Sequence, residues 1–197
     1  PIENLQYGAF VQLQDIGCIK NLSAGNFQAN FGQGLVIGSP FKMGKIRWMS
    51  SGMNAREGVQ KFTSIGNDYQ AFHGIGTTLR FNWAEVSALY SMQPTDSAWH
   101  HLLGVNVTGK WKKTKVGVTV IENLYSDSTA AKAVVGLNAR YNWGKVDIWG
   151  EMAATQGSTW GYGGIIGIDF TPISDVSVLG LYRHYSPYFD NPYAYAF

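Results

Sequence analysis

Val135-Gly-Leu-Asn-Ala-Arg-Tyr-Asn-Trp143 is followed, after Gly144-Lys145, by Val146-Asp-Ile-Trp-Gly-Glu151. In the first run Val135, Leu137, Ala139, Tyr141 and Trp143 alternate with Asn138 and Arg140; in the second, Val146 and Ile148 alternate with Asp147 and Glu151. A period of two puts successive side chains on opposite faces of a β-strand. One face here is apolar and ends in aromatic residues, while the other holds charged groups in mid-strand. A soluble sandwich also alternates, but its hidden face is a dry core. Charge in the strand centre opposite an apolar, aromatic-tipped face predicts an outward apolar band, an aromatic girdle and a polar interior.

The pattern extends over the chain. Leu5, Tyr7, Ala9, Val11 and Leu13 oppose Gln6, Gln12 and Gln14; Phe27, Ala29, Phe31 and Leu35 oppose Gln28 and Asn30. Leu103, Val105, Val107 and Trp111 oppose Asn106, Thr108 and Lys110, and Ile166, Ile168 and Phe170 oppose Gly167 and Asp169. Ten strands are expected, over residues 5–14, 23–37, 68–83, 85–92, 99–112, 116–125, 133–142, 146–154, 159–170 and 176–185. Several reach the roughly 9–11 residues that a tilted membrane strand needs, against the 5–6 usual in soluble sheets. Trp83, Trp111, Tyr141, Trp143 and Phe170 mark strand ends as the girdle.

Composition agrees. The 197 residues are 14% charged, with net charge +2, and hold 24 Gly, 7 Trp and 11 Tyr. Soluble chains average about 25% charged and about 7% Gly. Abundant aromatics exclude a disordered chain, and the single Cys18 excludes a disulfide framework. The uncharged stretch 152–168 contains five glycines, and no run of about 18 apolar residues occurs in the chain, which excludes an apolar membrane helix. No charge run or linker divides the chain, so residues 1–197 read as one domain. The connections alternate in length, short at 15–21, 84, 113–115, 143–145 and 171–175, and longer after every second strand. Short periplasmic turns and longer extracellular loops characterise outer-membrane barrels. The segment 38–67 is long enough to be functional or to plug something.

Gly25-Asn-Phe-Gln-Ala-Asn-Phe-Gly-Gln-Gly-Leu35 resembles a glycine-rich strand of a family of Bacteroidota proteins that join a helix-hairpin-helix segment to an outer-membrane β-barrel. The stretch from Phe62-Thr-Ser to Tyr90-Ser91 is similar to that family's next hairpin. Leu181-Tyr-Arg-His-Tyr-Ser186 with Tyr193-Ala-Tyr-Ala-Phe197 is similar to a later strand and loop. The resemblance implies a barrel, an outer-membrane location and a longer parent chain. It carries no DNA contact, because the helix-hairpin-helix segment is absent here, and no reaction.

Each candidate motif has a plainer reading. Gly32-Gln-Gly34-Leu-Val-Ile-Gly38 lacks the glycine of a dinucleotide loop at Ile37, and no helix follows, so its glycines serve a bend or a close backbone approach. His100 and His101 are adjacent on a strand and point to opposite faces; with His73, His184 and Cys18 they form no ligand spacing. No metal, cofactor or catalytic residue is therefore assigned, and an enzyme is not expected. The most informative set is the polar interior: Gln12, Gln28, Arg80, Asn82, Asn106, Lys110, Asn138, Arg140, Asp147, Glu151, Asp169 and Arg183. It reads either as a water-filled pore or as a small lumen closed by ion pairs, Arg140 with Asp147 or Glu151, and the closed or plugged form is favoured. Lys42, Lys45, Arg47, Arg56 and Lys61, against Glu57, form a basic loop that could meet lipopolysaccharide phosphates or remain a solvated loop. Lys110, Lys112, Lys113 and Lys115 crowd one turn, read as solvation of the rim.

The sequence thus predicts an all-β, up-and-down antiparallel transmembrane β-barrel of about ten strands in a bacterial outer membrane. Val105, Val107, Leu137 and Ile166 should face lipid, and Asn106, Asn138 and Asp147 the lumen. A start at Pro1 without Met, and short turns after strands one, three, five, seven and nine, lead to the expectation of a piece of a larger barrel, incomplete at both ends. Three functions follow: a structural or scaffolding subunit of a larger outer-membrane assembly, a passive channel or small-solute pore, or a soluble β-sandwich that binds ligand. Expected partners are outer-membrane lipid, lipopolysaccharide and other outer-membrane proteins; nucleic acid is not expected.

Overall fold

Alternating polarity and tight turns fold the chain into consecutive antiparallel hairpins. A computed structural model of the protein describes residues 9–38, 57–62, 71–94, 99–125, 132–173 and 176–194. Eleven strands form one sheet: β1 (Phe10–Ile16), β2 (Ile19–Asn30), β3 (Gly58–Lys61), β4 (Phe72–Arg80), β5 (Ala84–Pro94), β6 (Trp99–Trp111), β7 (Thr114–Tyr125), β8 (Lys132–Trp143), β9 (Val146–Thr155), β10 (Gly161–Ile173) and β11 (Val176–Tyr185). Their order is β1-β2-β4-β5-β6-β7-β8-β9-β10-β11, with β3 paired to β2 off this path. The fold is all-β, antiparallel and up-and-down. β1 and β11 do not pair with each other, so the sheet is open.

Three hairpins turn in two residues, as shown by the pairs Ile16↔Ile19, Trp111↔Thr114 and Trp143↔Val146. These turns are tighter than the spans 15–21, 113–115 and 143–145 expected from sequence. The expected one-residue connection at 84 is instead residues 81–83, which moves Asn82 out of the interior set and into an exposed turn. Strands β6, β7, β8 and β10 reach 12–13 residues.

Burial follows the predicted period of two. Exposed and buried residues alternate along β6 from Leu103 to Thr108, with Val105 49% and Val107 44% exposed beside Asn106 at 4%. On β8 and β10, Leu137 is 46% and Ile166 50% exposed, while Asn138 on β8 and Asp147 on β9 are buried.

The N-terminal third departs from the expected pattern. The strand read over 23–37 ends at Asn30, and its apolar residues are not on the outer face: Phe27, Ala29, Phe31 and Leu35 are all 2% exposed or less. Gly25, at φ +97°, breaks the alternation, since Asn26 and Phe27 in succession are both buried. Beyond this bend β2 pairs with β3, a strand within the long segment 38–67. Segments 26–38 and 58–62 cover the inward face of the sheet. Their buried residues Phe27, Phe31, Leu35, Val36, Ile37 and Val59 cluster with Phe72, Leu89, Leu102, Ile121, Val134, Trp149, Ala153 and Ile165 from the wall. Each large apolar side chain so buried contributes about 1.5–3 kcal/mol.

Candidate functional site: an occupied interior

The inward face is layered along the strands. At the turn end it is charged. Arg80 bonds Asp15 at 3.2 Å, and Glu85 takes Lys20 at 2.9 Å and Lys110 at 2.7 Å. Lys20 reaches inward at the register shift between Ile19 and Asn21. Lys115 pairs with Glu57, just before β3. Arg140 Nε donates to Asp147 Oδ1 at 3.0 Å. Asn142 sits opposite Asp147 and Arg140 opposite Trp149, so the ion pair is diagonal. Asp147 itself lies opposite Asp169, a like-charge pair that would destabilise the sheet. Arg140 on one carboxylate and the Ser177 hydroxyl, donating to Asp169 Oδ1 at 2.7 Å, offset it.

Above this rim lie buried and half-buried polar residues. Asn106 Nδ2 donates to Thr119 Oγ1 at 2.8 Å, the Thr108 hydroxyl to Asn106 Oδ1 at 3.0 Å, and Gln12 Nε2 to Asn21 Oδ1 at 2.8 Å. Gln28, half-buried, lines a polar recess of about 670 Å³ with Gln12, Lys20, Glu57 and Arg80. Higher still the wall is apolar, through Leu89, Leu102, Ile121, Val134 and Ile165. The expected polar interior is therefore only part of the picture: polar and charged residues hold the turn end, an apolar core lies above them, and buried polar residues such as Glu151, His100 and Asn123 return within and beyond that core.

Glu151 is the charged residue set deep in this wall, 4% exposed. Its carboxylate accepts the backbone N–H of Gln33 at 2.5 Å and that of Val36 at 3.3 Å. The Gly32–Gly38 run thus does form an anion cradle of backbone N–H groups, and the anion is the chain's own side chain. The fit is close: a Cβ at Gly32 would stand 2.8 Å from Glu151 Oε2 and 2.9 Å from Asn138 Cβ. A Cβ at Gly136 would overlap Val36 Cγ2, and one at Gly167 would overlap the Trp149 indole. The wall glycines make room for what lies against them.

The C-terminal segment completes the cover. Asn191 Nδ2 donates to the carbonyls of Leu35 at 2.6 Å and Val36 at 2.8 Å, and Gly38 N–H to Tyr193 O at 3.0 Å. Tyr193 stacks on His100, ring centroids 6.1 Å apart. His100 is buried on this face, with Nε2 3.2 Å from Asn123 Oδ1. His101 points outward, with Nδ1 2.8 Å from the Tyr90 hydroxyl. Arg183 lies on the inward register opposite Ile165 but is exposed at the open edge. Of the basic loop, Lys61 is exposed with its ammonium 5.9 Å over the Phe10 ring; Lys42, Lys45, Arg47 and Arg56 lie outside the described residues. Among the described residues no three His, Cys, Asp or Glu side chains come together to hold a metal ion.

The outward face is apolar from β5 to β10, interrupted by Glu122 at the level of Leu103 and Ala133 and by His101 toward the loops. Aromatic residues stand at both ends. Trp83, Trp111, Tyr141, Trp143 and Phe170 lie toward the turns, and Tyr90, Trp99, Trp160, Tyr162 and Tyr182 toward the loops, all exposed. The second group escaped the sequence reading because three of its members lie where strands meet longer loops and alternation weakens. The plug segment did leave a signal: Leu35-Val-Ile37 is three apolar residues running, which no wall strand between lipid and a polar lumen can place. Glu151's role left none. No protein-family model, curated protein or solved structure matches the chain.

Proposed function

We propose that this chain is an integral outer-membrane protein whose strands form wall of a transmembrane β-barrel, and that it acts as a structural subunit of a larger outer-membrane assembly. The outward face carries the proposal: an uncovered apolar surface bounded by aromatics at both ends. From Tyr162 to Phe170 is about 27 Å along the strand and from Trp99 to Trp111 about 41 Å, at about 3.4 Å per residue. A tilt of about 40° reduces these to about 21 and 31 Å, which bracket the roughly 25 Å apolar band of such barrels. A soluble sandwich would need a second sheet on this face, and none of the described residues covers it.

Two features favour a subunit over a passive pore. The inward face is filled by segments 26–38, 58–62 and 186–194, held by Glu151 and Asn191. The outer edges of β1 and β11 have no strand partner among the described residues. Unpaired backbone groups cost several kcal/mol each in hydrocarbon, so other strands must complete the wall. The polar recess beside β3 supports the channel as the second reading.

Reconstitution in a planar bilayer tests the choice. The subunit reading expects insertion, with quenching of tryptophan by brominated lipid, and no discrete conductance. Stable unitary steps would transfer the assignment to a pore. A monodisperse protein in water without detergent, unquenched by added vesicles, would overturn both.

A further inference from the structure

Four lysines crowd the β6–β7 turn, but the structure divides them. Lys110 and Lys115 turn inward onto Glu85 and Glu57. Lys112 and Lys113 stay exposed in the turn, with no carboxylate partner among the described residues. Lys112 adopts φ +50°, a conformation in which side chains are uncommon. The matching first position of the β8–β9 turn is Gly144, at φ +63°. A lysine is thus held where glycine would be unstrained, and its ammonium sits 5.9 Å over the Trp111 ring. Strain retained at such a position is a pointer to function.

Beside it the outward wall is notched. Gly109, between Ala84 and Val116 in the register, leaves a slot of about 450 Å³ walled by Trp83 and Trp111 and floored toward Thr114 and Val116. Lys110 also contributes to the lining, and the turn that carries Lys112 and Lys113 joins two of the lining residues, Trp111 and Thr114.

We propose that this slot binds an anionic phospholipid of the turn-side leaflet, its upper acyl chain between Trp83 and Trp111 and its phosphate on Lys112 and Lys113. The proposal rests on the membrane reading above. The geometry joins the two requirements of such a ligand: an apolar notch at the end of the band and two positive charges without a carboxylate partner immediately beyond it. A lysine near an anionic surface contributes about fivefold to binding, and the Trp rings supply the interfacial flanks.

The test is tryptophan quenching in phosphatidylcholine vesicles containing either brominated phosphatidylglycerol or brominated phosphatidylcholine at equal mole fraction. The parent protein is expected to be quenched more by the brominated anionic lipid. K112G/K113S should lose most of that excess, up to about 25-fold in relative affinity, while the phosphatidylcholine quenching persists. G109L should fill the slot and reduce quenching by the anionic lipid; the Cβ it adds meets nothing nearer than Val116 O at 3.9 Å. Equal quenching of the parent by both lipids, or an excess unchanged in K112G/K113S, overturns the site and leaves the membrane reading standing. Absence of quenching by either lipid overturns the membrane reading itself.

Discussion

Removing the Glu151 carboxylate should open the interior. Glu151→Ala strands the N–H groups of Gln33 and Val36, both now bonded to a charged acceptor in a buried site. Bonds to charged groups contribute roughly 1.5–3 kcal/mol each. With the 3.3 Å contact taken at the low end, the segment loses about 3–4 kcal/mol. Asn191 still holds the Leu35 and Val36 carbonyls, so the loss is local rather than global. At about 1.4 kcal/mol per tenfold, opening of 32–37 becomes about 10²–10³ times more frequent. A Val36→Cys reporter in a Cys18→Ser background reads this directly, because Val36 is 0% exposed and Cys18 is the single native cysteine of the sequence. The rate of labelling by a membrane-impermeant maleimide should rise by that factor in Glu151→Ala, and less in Glu151→Gln, whose amide keeps one acceptor. Equal labelling rates in Glu151→Ala and its parent would refute the idea that this carboxylate anchors the plug.

Other outcomes follow from the same geometry. Leu137→Arg, on the outward face, should cost about 2–4 kcal/mol in refolding into lipid if it lies near the midplane; a nitroxide at 137 reporting water would contradict the assignment. Gly136→Val should force its side chain against Val36 and cost about 1–3 kcal/mol, read as a lowered denaturant midpoint in the otherwise native chain. A double-mutant cycle on Arg140→Ala and Asp147→Ala should give a coupling of about 0.5–3 kcal/mol, and a coupling near zero would mean the diagonal pair does not form in solution.

Alternation alone was enough to determine the class of fold, because side chains that point to opposite faces every residue must sort by polarity wherever the two faces meet different surroundings. Val105, Asn106, Val107 and Leu137, Asn138 could be assigned to faces from sequence, and so could the opposite directions of His100 and His101. The ion pair of Arg140 with Asp147 was legible too, since a short turn joins their strands, although its diagonal register was not. What sequence could not decide was which residues meet across the sheet. Phe27, Ala29, Phe31 and Leu35 alternate as a wall strand does, yet they lie inside, because the bend at Gly25 carries them off the wall and β3 pairs with β2 there. Nothing local to Glu151 says that Gln33, more than a hundred residues earlier, supplies its hydrogen bond. Local pattern records only the polarity of the two sides; the tertiary structure determines whether the polar side meets water, an ion partner or the chain itself.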